Sequence, residues 1–375
     1  MQLLKLMQNL VRLGEPLPWG VRDAQGSLLL AQGHVVANAA QLAAILERGA
    51  FVDVEEVKAA AKRAAEAEKQ KLRPANLFTL WERVLWQLDR LLRGSTEPDF
   101  NGRADELAQH IIMLTDRDAD IAIYLTVLQD PKRLAIYGLA HSVHSAVIGL
   151  LMARRLGWGE AQTLSLMKAA LTMNIAMLDL QGSLAVQGLA PTQGQQATIR
   201  EHPEKGVEML RAAGVDDAAW LDAVLQHHEL PDASGYPAAL TDPTPLSQVL
   251  RHIDGFVGKI SPRAGRAPLP VQQALRELFK EDQGGQAAAA IVKEFGLYPP
   301  GDFVKLKSGE HAVVVRRSAT GSAPTAASIT DRTGMPMVNT IMRDTSKPEY
   351  AIVSALADKS QVLRMQPERL YGLPD

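Results

Sequence analysis

The feature that most constrains the fold is the helical period that runs almost unbroken from residue 100 to residue 290. Apolar side chains recur there at three- and four-residue spacing, which puts them on one stripe of a helix. The segments 105–116, 118–129, 133–156, 160–178, 193–213, 218–228, 244–260 and 271–280 read as helices, and Gly or Pro punctuates most of the gaps. Successive helices with one apolar stripe each can bury those stripes only against one another, so this stretch reads as a single bundle. Residues 77–92 add a first helix, with Leu80, Val84, Leu85, Leu88 and Leu92 on one stripe and Trp81 beside it. The chain is therefore expected to be mainly α.

The flanks have a different character. Residues 1–56 read as a small α/β or β-rich module. A turn at 23–26 separates two short apolar stretches, which suggests a hairpin, and Asn38 is placed to cap a helix that ends at Gly49. Residues 51–54 read as a returning strand. Residues 57–75 are rich in Ala, Lys and Glu with few large apolar side chains, which suits a solvated helical linker. The bundle is assigned to 76–295. Residues 296–375 alternate or are β-branched at 303–306, 312–317, 327–330 and 351–356, the pattern of a small β appendage closing on the bundle.

Composition narrows the function classes. With 40 basic and 42 acidic residues the formal charge is −2, which gives no general attraction to nucleic acid or anionic membrane. Cysteine is absent, which removes disulfides and thiolate chemistry and suits a cytoplasmic location. The longest uninterrupted apolar run, 146–152, is too short to span a bilayer, so neither a membrane span nor a signal peptide is expected.

Residues 227–237 read His-His-Glu-Leu-Pro-Asp-Ala-Ser-Gly-Tyr-Pro. Imidazole is the commonest metal ligand, and a Gly-Tyr-Pro tail makes a loop with one permissive and one fixed backbone position. His227, His228, Glu229, Asp232, Ser234, Gly235, Tyr236 and Pro237 resemble the signature of HD-GYP domains, with Ala233 where that family has glycine. Members of that family hydrolyse cyclic di-GMP with a two- or three-metal site in a helical bundle. The resemblance extends over about residues 133–270. His141 is similar to the family's first histidine, His202 to its intermediate one, Asp254 to its closing aspartate and Arg263 to an arginine that follows and would hold phosphate.

The family's defining dyad falls at residues 172–177, where it reads Leu-His-Asp-Ile-Gly-Lys. Here Met173 replaces the histidine, Asn174 the aspartate, Ala176 the glycine and Met177 the lysine. The aspartate is the group that bridges two cations. Ions held about 3.5–4 Å apart repel strongly, and a shared carboxylate makes that spacing tolerable. Asn174 keeps the shape without the charge, Met173 offers a soft thioether, and Met177 cannot stabilise phosphate. A dinuclear site is thus not expected. His141, His202, His227, His228 and Asp254 remain, either as buried polar residues bonded to one another or as ligands of one Zn, Fe or Mn ion, with His202, His227 and His228 as a three-histidine set.

The resemblance implies a catalytically degenerate signalling protein, an adaptor or sensor in bacterial cyclic di-GMP regulation. Its docking loop would be Asp232, Ser234, Gly235, Tyr236 and Pro237, with diguanylate cyclase domains as partners and cyclic di-GMP as a candidate ligand. The alternative is a phosphohydrolase with an atypical one-metal site. His144 reads as a satisfied histidine, and His34, His110, His252 and His311 as isolated ones. Asp116, Asp118 and Asp120 alternate like a calcium loop but lack its Gly and Glu, which favours helix capping.

Overall fold

The computed structural model describes residues 2–7, 10–72, 76–318 and 323–373. They form two compact units, Met1–Ala75 and Asn76–Asp375. In the first, β1 (Leu3–Lys5), β2 (Val21–Arg22), β3 (Leu28–Leu30) and β4 (Phe51–Asp53) make one antiparallel sheet in the order β1-β4-β2-β3. The expected hairpin turn joins β2 to β3, where Asp23 Oδ1 accepts from the backbone N–H of Gln25 and Ser27. The helix α1 (Ala39–Glu47) is capped by Asn38, whose side chain accepts from Gln41 N. Leu6, Trp19, Val21, Val36, Leu42 and Val52 are the core, and Ala60 joins it from α2 (Val54–Leu72). The start of the stretch expected as a linker therefore packs within this module. Its last residues, 73–75, lie outside the described residues.

The second unit is a bundle of α3 (Leu77–Arg93), α4 (Phe100–Arg117), α5 (Ala119–Val127), α6 (Tyr137–Arg155), α7 (Glu160–Thr172), α8 (Leu178–Gln187), α9 (Gln193–Ala212), α10 (Ala218–Gln226), α11 (Pro245–Ile260), α12 (Val271–Glu281) and α13 (Gln286–Phe295). It is followed by β5 (Phe303–Leu306), β6 (His311–Arg316), β7 (Thr325–Thr330), β8 (Pro336–Asp344), β9 (Ile352–Ala355) and α14 (Pro367–Leu370). The axis of the bundle is α6, apolar nearly all round and packed on α3, α4, α7, α8, α11 and α13. The stretches Leu134–Arg155 and Glu160–Gln187 are long and apolar enough to cross a membrane, contrary to the expectation from the longest uninterrupted run. Both owe that apolarity to the core: 78% and 56% of their tested windows are buried.

The C-terminal sheet runs β8-β7-β6-β5-β9, all antiparallel. Its period of two divides it cleanly. Phe303, Val313, Val315, Ala327 and Ile329 enter the bundle core, while Val304, Leu306, Ala312, Val314 and Ala326 form a second cluster on the other face. Arg316 reaches Asp118 at 2.5 Å and Arg317 reaches Asp120 at 2.6 Å, fastening the sheet to the start of α5. Asp118 also caps α5 by accepting from the N–H groups of Asp120 and Ile121.

Three elements depart from the sequence expectation. The helix expected at 160–178 stops at Thr172. Met173 and Asn174 form a turn, a 3-10 turn follows at Ile175–Met177, and α8 then begins. Asn174 sits at φ −107°, ψ 16°, a conformation asparagine tolerates better than most residues and one that breaks the helical ladder. The helix α13 went unseen because four alanines give no stripe, and β8 because its exposed side chains show no alternation.

Candidate functional site

Two helix irregularities aim the central histidines. In α9, Pro203 has no N–H to give to the carbonyl of Ile199, four residues earlier. That freed oxygen takes the Nδ1–H of His202 at 2.6 Å. At the end of α10, Val224 is among the last residues, whose carbonyls have no helical partner. It takes the Nδ1–H of His227 at 2.7 Å. Both rings are thereby locked in one tautomer, with Nε2 as the acceptor nitrogen, and the two Nε2 atoms face each other at 3.2 Å.

His228 adds a third nitrogen, and the donor atoms of His202, His227 and His228 all lie within 4.8 Å of one another. Among the described residues this is the one group of His, Asp or Glu placed to hold an ion. Burial holds His202 down to about 4 and pushes His227 well below its ordinary range, with the neighbouring His228 adding to both. Burial lowers His228 too, against the pull of Asp254. Facing lone pairs repel unless a cation or proton lies between them, and these rings are poor bases. A single divalent ion fits this donor set. The backbone carbonyls behind His202 and His227 are the usual outer support of a ligating imidazole.

The loop after His228 is built tightly. Glu229 is buried, and its carboxylate accepts from Ala238 N at 2.6 Å and Leu240 N at 2.9 Å. Asp232 accepts from both the N–H and the hydroxyl of Ser234, and this holds its carboxyl below the usual range. A Cβ on Gly235 would stand 2.5 Å from Glu229 Cα and 2.6 Å from His228 O, and would also strike Leu230 N. Gly235→Ala is therefore expected to cost about 2 kcal/mol as overpacking, read from urea unfolding. Ala233 has φ +60°. Relief of a left-handed alanine, about 1–2 kcal/mol, exceeds the added unfolded freedom of glycine, about 0.5–1 kcal/mol. Ala233→Gly is expected to stabilise the chain by about 0.5–1 kcal/mol in the same measurement.

Tyr236 is partly covered. Its ring stacks on His228 at 4.6 Å, with the Arg200 guanidinium 5.4 Å over it. The exposed part of the loop is Pro231, Asp232, Ser234, Ala238 and Ala239, while Gly235 and Pro237 are partly covered.

His141 and Asp254 form a separate pair, Nε2 to Oδ1 2.8 Å. Burial alone would raise the Asp254 carboxyl, but the hydrogen bond and charge of His141 hold it far below the usual range. Arg263 is engaged by Tyr137, whose hydroxyl accepts from its Nη2 at 2.6 Å, and Tyr137 stacks on His141 at 5.6 Å. Met173 is fully buried in the core. Asn174 is 3% exposed, and its Nδ2 has no hydrogen-bond partner among the described residues. The turn that carries it packs against α9 and α10: Gly206, one turn after His202, faces the Met173 carbonyl, Ile175 and Val224.

Residues 131–284 match the family model of the HD domain. That stretch is similar to an HD domain. It is 26% identical over 185 residues to the cyclic di-GMP phosphodiesterase PA4108 of Pseudomonas aeruginosa, a match covering 48% of this chain and 45% of that protein. It is 25% identical over 118 residues to the cyclic di-GMP phosphodiesterase PdeB of Borreliella burgdorferi, covering 32% of this chain and 31% of that one. The matches thus span less than half the length of these curated relatives. Bd1817, an HDG"Y"P protein from Bdellovibrio bacteriovorus, superposes with a TM-score of 0.48 at 13% identity, over 77% of this chain and 98% of that one.

The surroundings of several residues were not legible from the sequence. Tyr137 had a signal, since it lies four residues before His141 on one helix face. Arg200 had none. His252 is not isolated: it meets Asp282 at 3.0 Å, and Arg251 lies against it. His110 is bonded to Gln87 at 2.9 Å. His144 is not a satisfied histidine, because its Nδ1 is buried without a partner among the described residues, and burial pushes it down to about 3.

Proposed function

We propose that this chain is a catalytically degenerate relative of the cyclic di-GMP phosphodiesterases, serving as an adaptor or sensor in cyclic di-GMP regulation. The observation that supports this most is the composition of the ligand cluster: three neutral histidines and no carboxylate. The position the resemblance gives to the bridging aspartate is a buried amide, Asn174. The carboxylate of Asp254 lies outside that cluster and accepts from His141 through Oδ1. Such a site suits one cation and lacks the anion that lets two cations sit together. In-line attack on a phosphodiester would also lack the second ion and the lysine that Met177 replaces.

Metal analysis of natively purified protein, followed by a cyclic di-GMP hydrolysis assay with added Mn²⁺ or Fe²⁺, tests this reading. At most one ion per chain and no turnover are expected. Two ions per chain with turnover would overturn it. In the adaptor role the exposed face of the loop, with Pro231, Asp232 and Ser234, would meet a diguanylate cyclase domain. Cyclic di-GMP itself would bind without cleavage, which calorimetry measures.

The facing Nε2 atoms of His202 and His227 favour a second reading, a one-metal phosphohydrolase. One bound ion would lower the pKa of a coordinated water toward neutrality. One ion per chain, with turnover abolished in His227→Ala, would establish that reading in place of the first.

A further inference from the structure

A cavity of about 300 Å³ lies between α11, α12 and the loop that follows His228. Arg251 and Asp254 line it from α11, Leu278 and Glu281 from α12, and His228 and Tyr236 from the loop side. The volume is at the lower end of small-ligand sites and suits a compact molecule.

Arg251 is the unusual member of the wall. Its guanidinium carries five N–H donors and a permanent charge. Among the described residues no carboxylate pairs with it, and its one hydrogen bond runs from Nη2 to His252 Nε2 at 3.0 Å. That bond is contested, since Asp282 Oδ1 also lies 3.0 Å from the same nitrogen. The Nε2 of a neutral imidazole either accepts from Arg251 or donates to Asp282, and cannot do both. Arg251 Nε is enclosed, but Nη1 is neither enclosed nor bonded among the described residues, so it is free to meet an occupant. Burial pulls the guanidinium below its ordinary range, against the pull of Asp282 and Glu281. A half-buried charge with most of its donors idle is costly unless an acceptor outside the chain takes them.

His228 brings the three-histidine set to the same cavity. One divalent ion on three neutral imidazoles keeps its full charge and one open tetrahedral position. The charged lining residues are Arg251, Asp254 and Glu281, a net −1 (+1 − 2). Asp254 accepts from His141, and Glu281 pairs with Lys259. An ion on the histidines turns the lining charge to +1 (−1 + 2), so an anion is disfavoured in the ion-free cavity and favoured once the ion is in place.

We propose that this cavity takes a small organic oxyanion, a carboxylate or a phosphomonoester, held by Arg251 and by an ion on the three histidines, and that ion and anion bind cooperatively. The inference rests on the one-ion reading of the histidine cluster and adds to it a ligand class and the residue that selects it. An oxyanion has at least two terminal oxygens, one for each cation, and the rest of the molecule lies against Leu230, Leu278 and Tyr236.

The test uses the full chain, with and without bound Zn²⁺, in calorimetry with benzoate, phenyl phosphate and uncharged benzamide. With the ion in place one anion per chain should bind, and the tighter of the two anions names its source as carboxylate or phosphomonoester. Chelator-treated protein should bind either anion at least about tenfold more weakly, and by reciprocity the anion should tighten Zn²⁺ binding by the same factor. Benzamide, matched in shape to benzoate, should bind at least about tenfold more weakly than benzoate. Arg251→Gln, kept ion-loaded, should lose at least about tenfold in anion affinity, and Arg251→Lys should recover part of that loss. Ion-loaded protein that takes up neither anion overturns the proposal and leaves the one-ion reading standing. A chain that takes no ion overturns both. Benzamide as strong as benzoate overturns the proposal, as does a folded Arg251→Gln variant as strong as wild type. If circular dichroism shows that Arg251→Gln does not fold, the ion dependence in wild type decides: equal anion affinity with and without Zn²⁺ refutes the proposal.

Discussion

Replacing His227 with alanine is expected to cost at least about a hundredfold in affinity for a divalent transition ion. Loss of a mere outer partner of a ligand already costs about ten- to a hundredfold, and His227 lies in the donor set itself. The ring is fully buried, and its Nδ1 is tied to the Val224 carbonyl, so its Nε2 has one direction in which to act. Calorimetry on chelator-treated protein with Mn²⁺ or Zn²⁺ reads the loss directly. Unfolding experiments separate ligation from packing. Wild-type protein at an ion concentration of about a hundred times Kd should gain about 2.7 kcal/mol over its metal-free form, whereas the variant should gain almost nothing. The packing defect from removing an imidazole appears in both conditions and cancels from that difference. His311→Ala, a change on β6 outside the donor set, should leave the gain intact. An equal ion-dependent gain in His227→Ala would show that the three histidines are a buried polar cluster and nothing more.

The bundle was legible because its signal is redundant. The helices α3, α11 and α12 carry a repeated apolar stripe, α5 and α6 are apolar nearly all round, and caps such as Asp118 and Thr244 sit where short polar side chains are expected. The sheet was legible on β5, β6, β7 and β9, which carry β-branched residues, and was missed on β8, which exposes most of its side chains. In the candidate site, the His-His-Glu motif and the His-Pro pair named three histidines that do converge. What sequence could not give is which of the candidate ligands pair off among themselves. His141 and Asp254 are 113 residues apart, and only the packing of α6 on α11 puts them at hydrogen-bond distance. The covering of Tyr236 is beyond the sequence for a related reason. An aromatic residue in a polar loop reads as exposed until the partners that cover it, His228 and Arg200, are brought in from α9 and the end of α10.

Asn174→Asp is the sharper test of the charge argument. In chelator-treated protein it is expected to lower the unfolding free energy by about 3 kcal/mol, the cost of a buried charge without a partner. The two side chains are nearly identical in shape, so packing contributes little and the change isolates charge. Asn174 is 3% exposed, and the adjoining Met173, fully buried, offers no hydrogen bond to a carboxylate. Saturating Mn²⁺ should return most of the loss, because the new carboxylate then faces a cation. Combining it with Met173→His supplies both groups that the resemblance calls for, and the double variant is expected to take up a second ion per chain by metal analysis. The two measurements bear on different links. A metal-free Asn174→Asp as stable as wild type would mean that position 174 is not desolvated, and the neutral amide would then be no barrier to a second cation. A double variant that pays the metal-free penalty but still holds one ion would locate the barrier elsewhere. The remaining obstacle would be Asp254, whose carboxylate is already committed to His141.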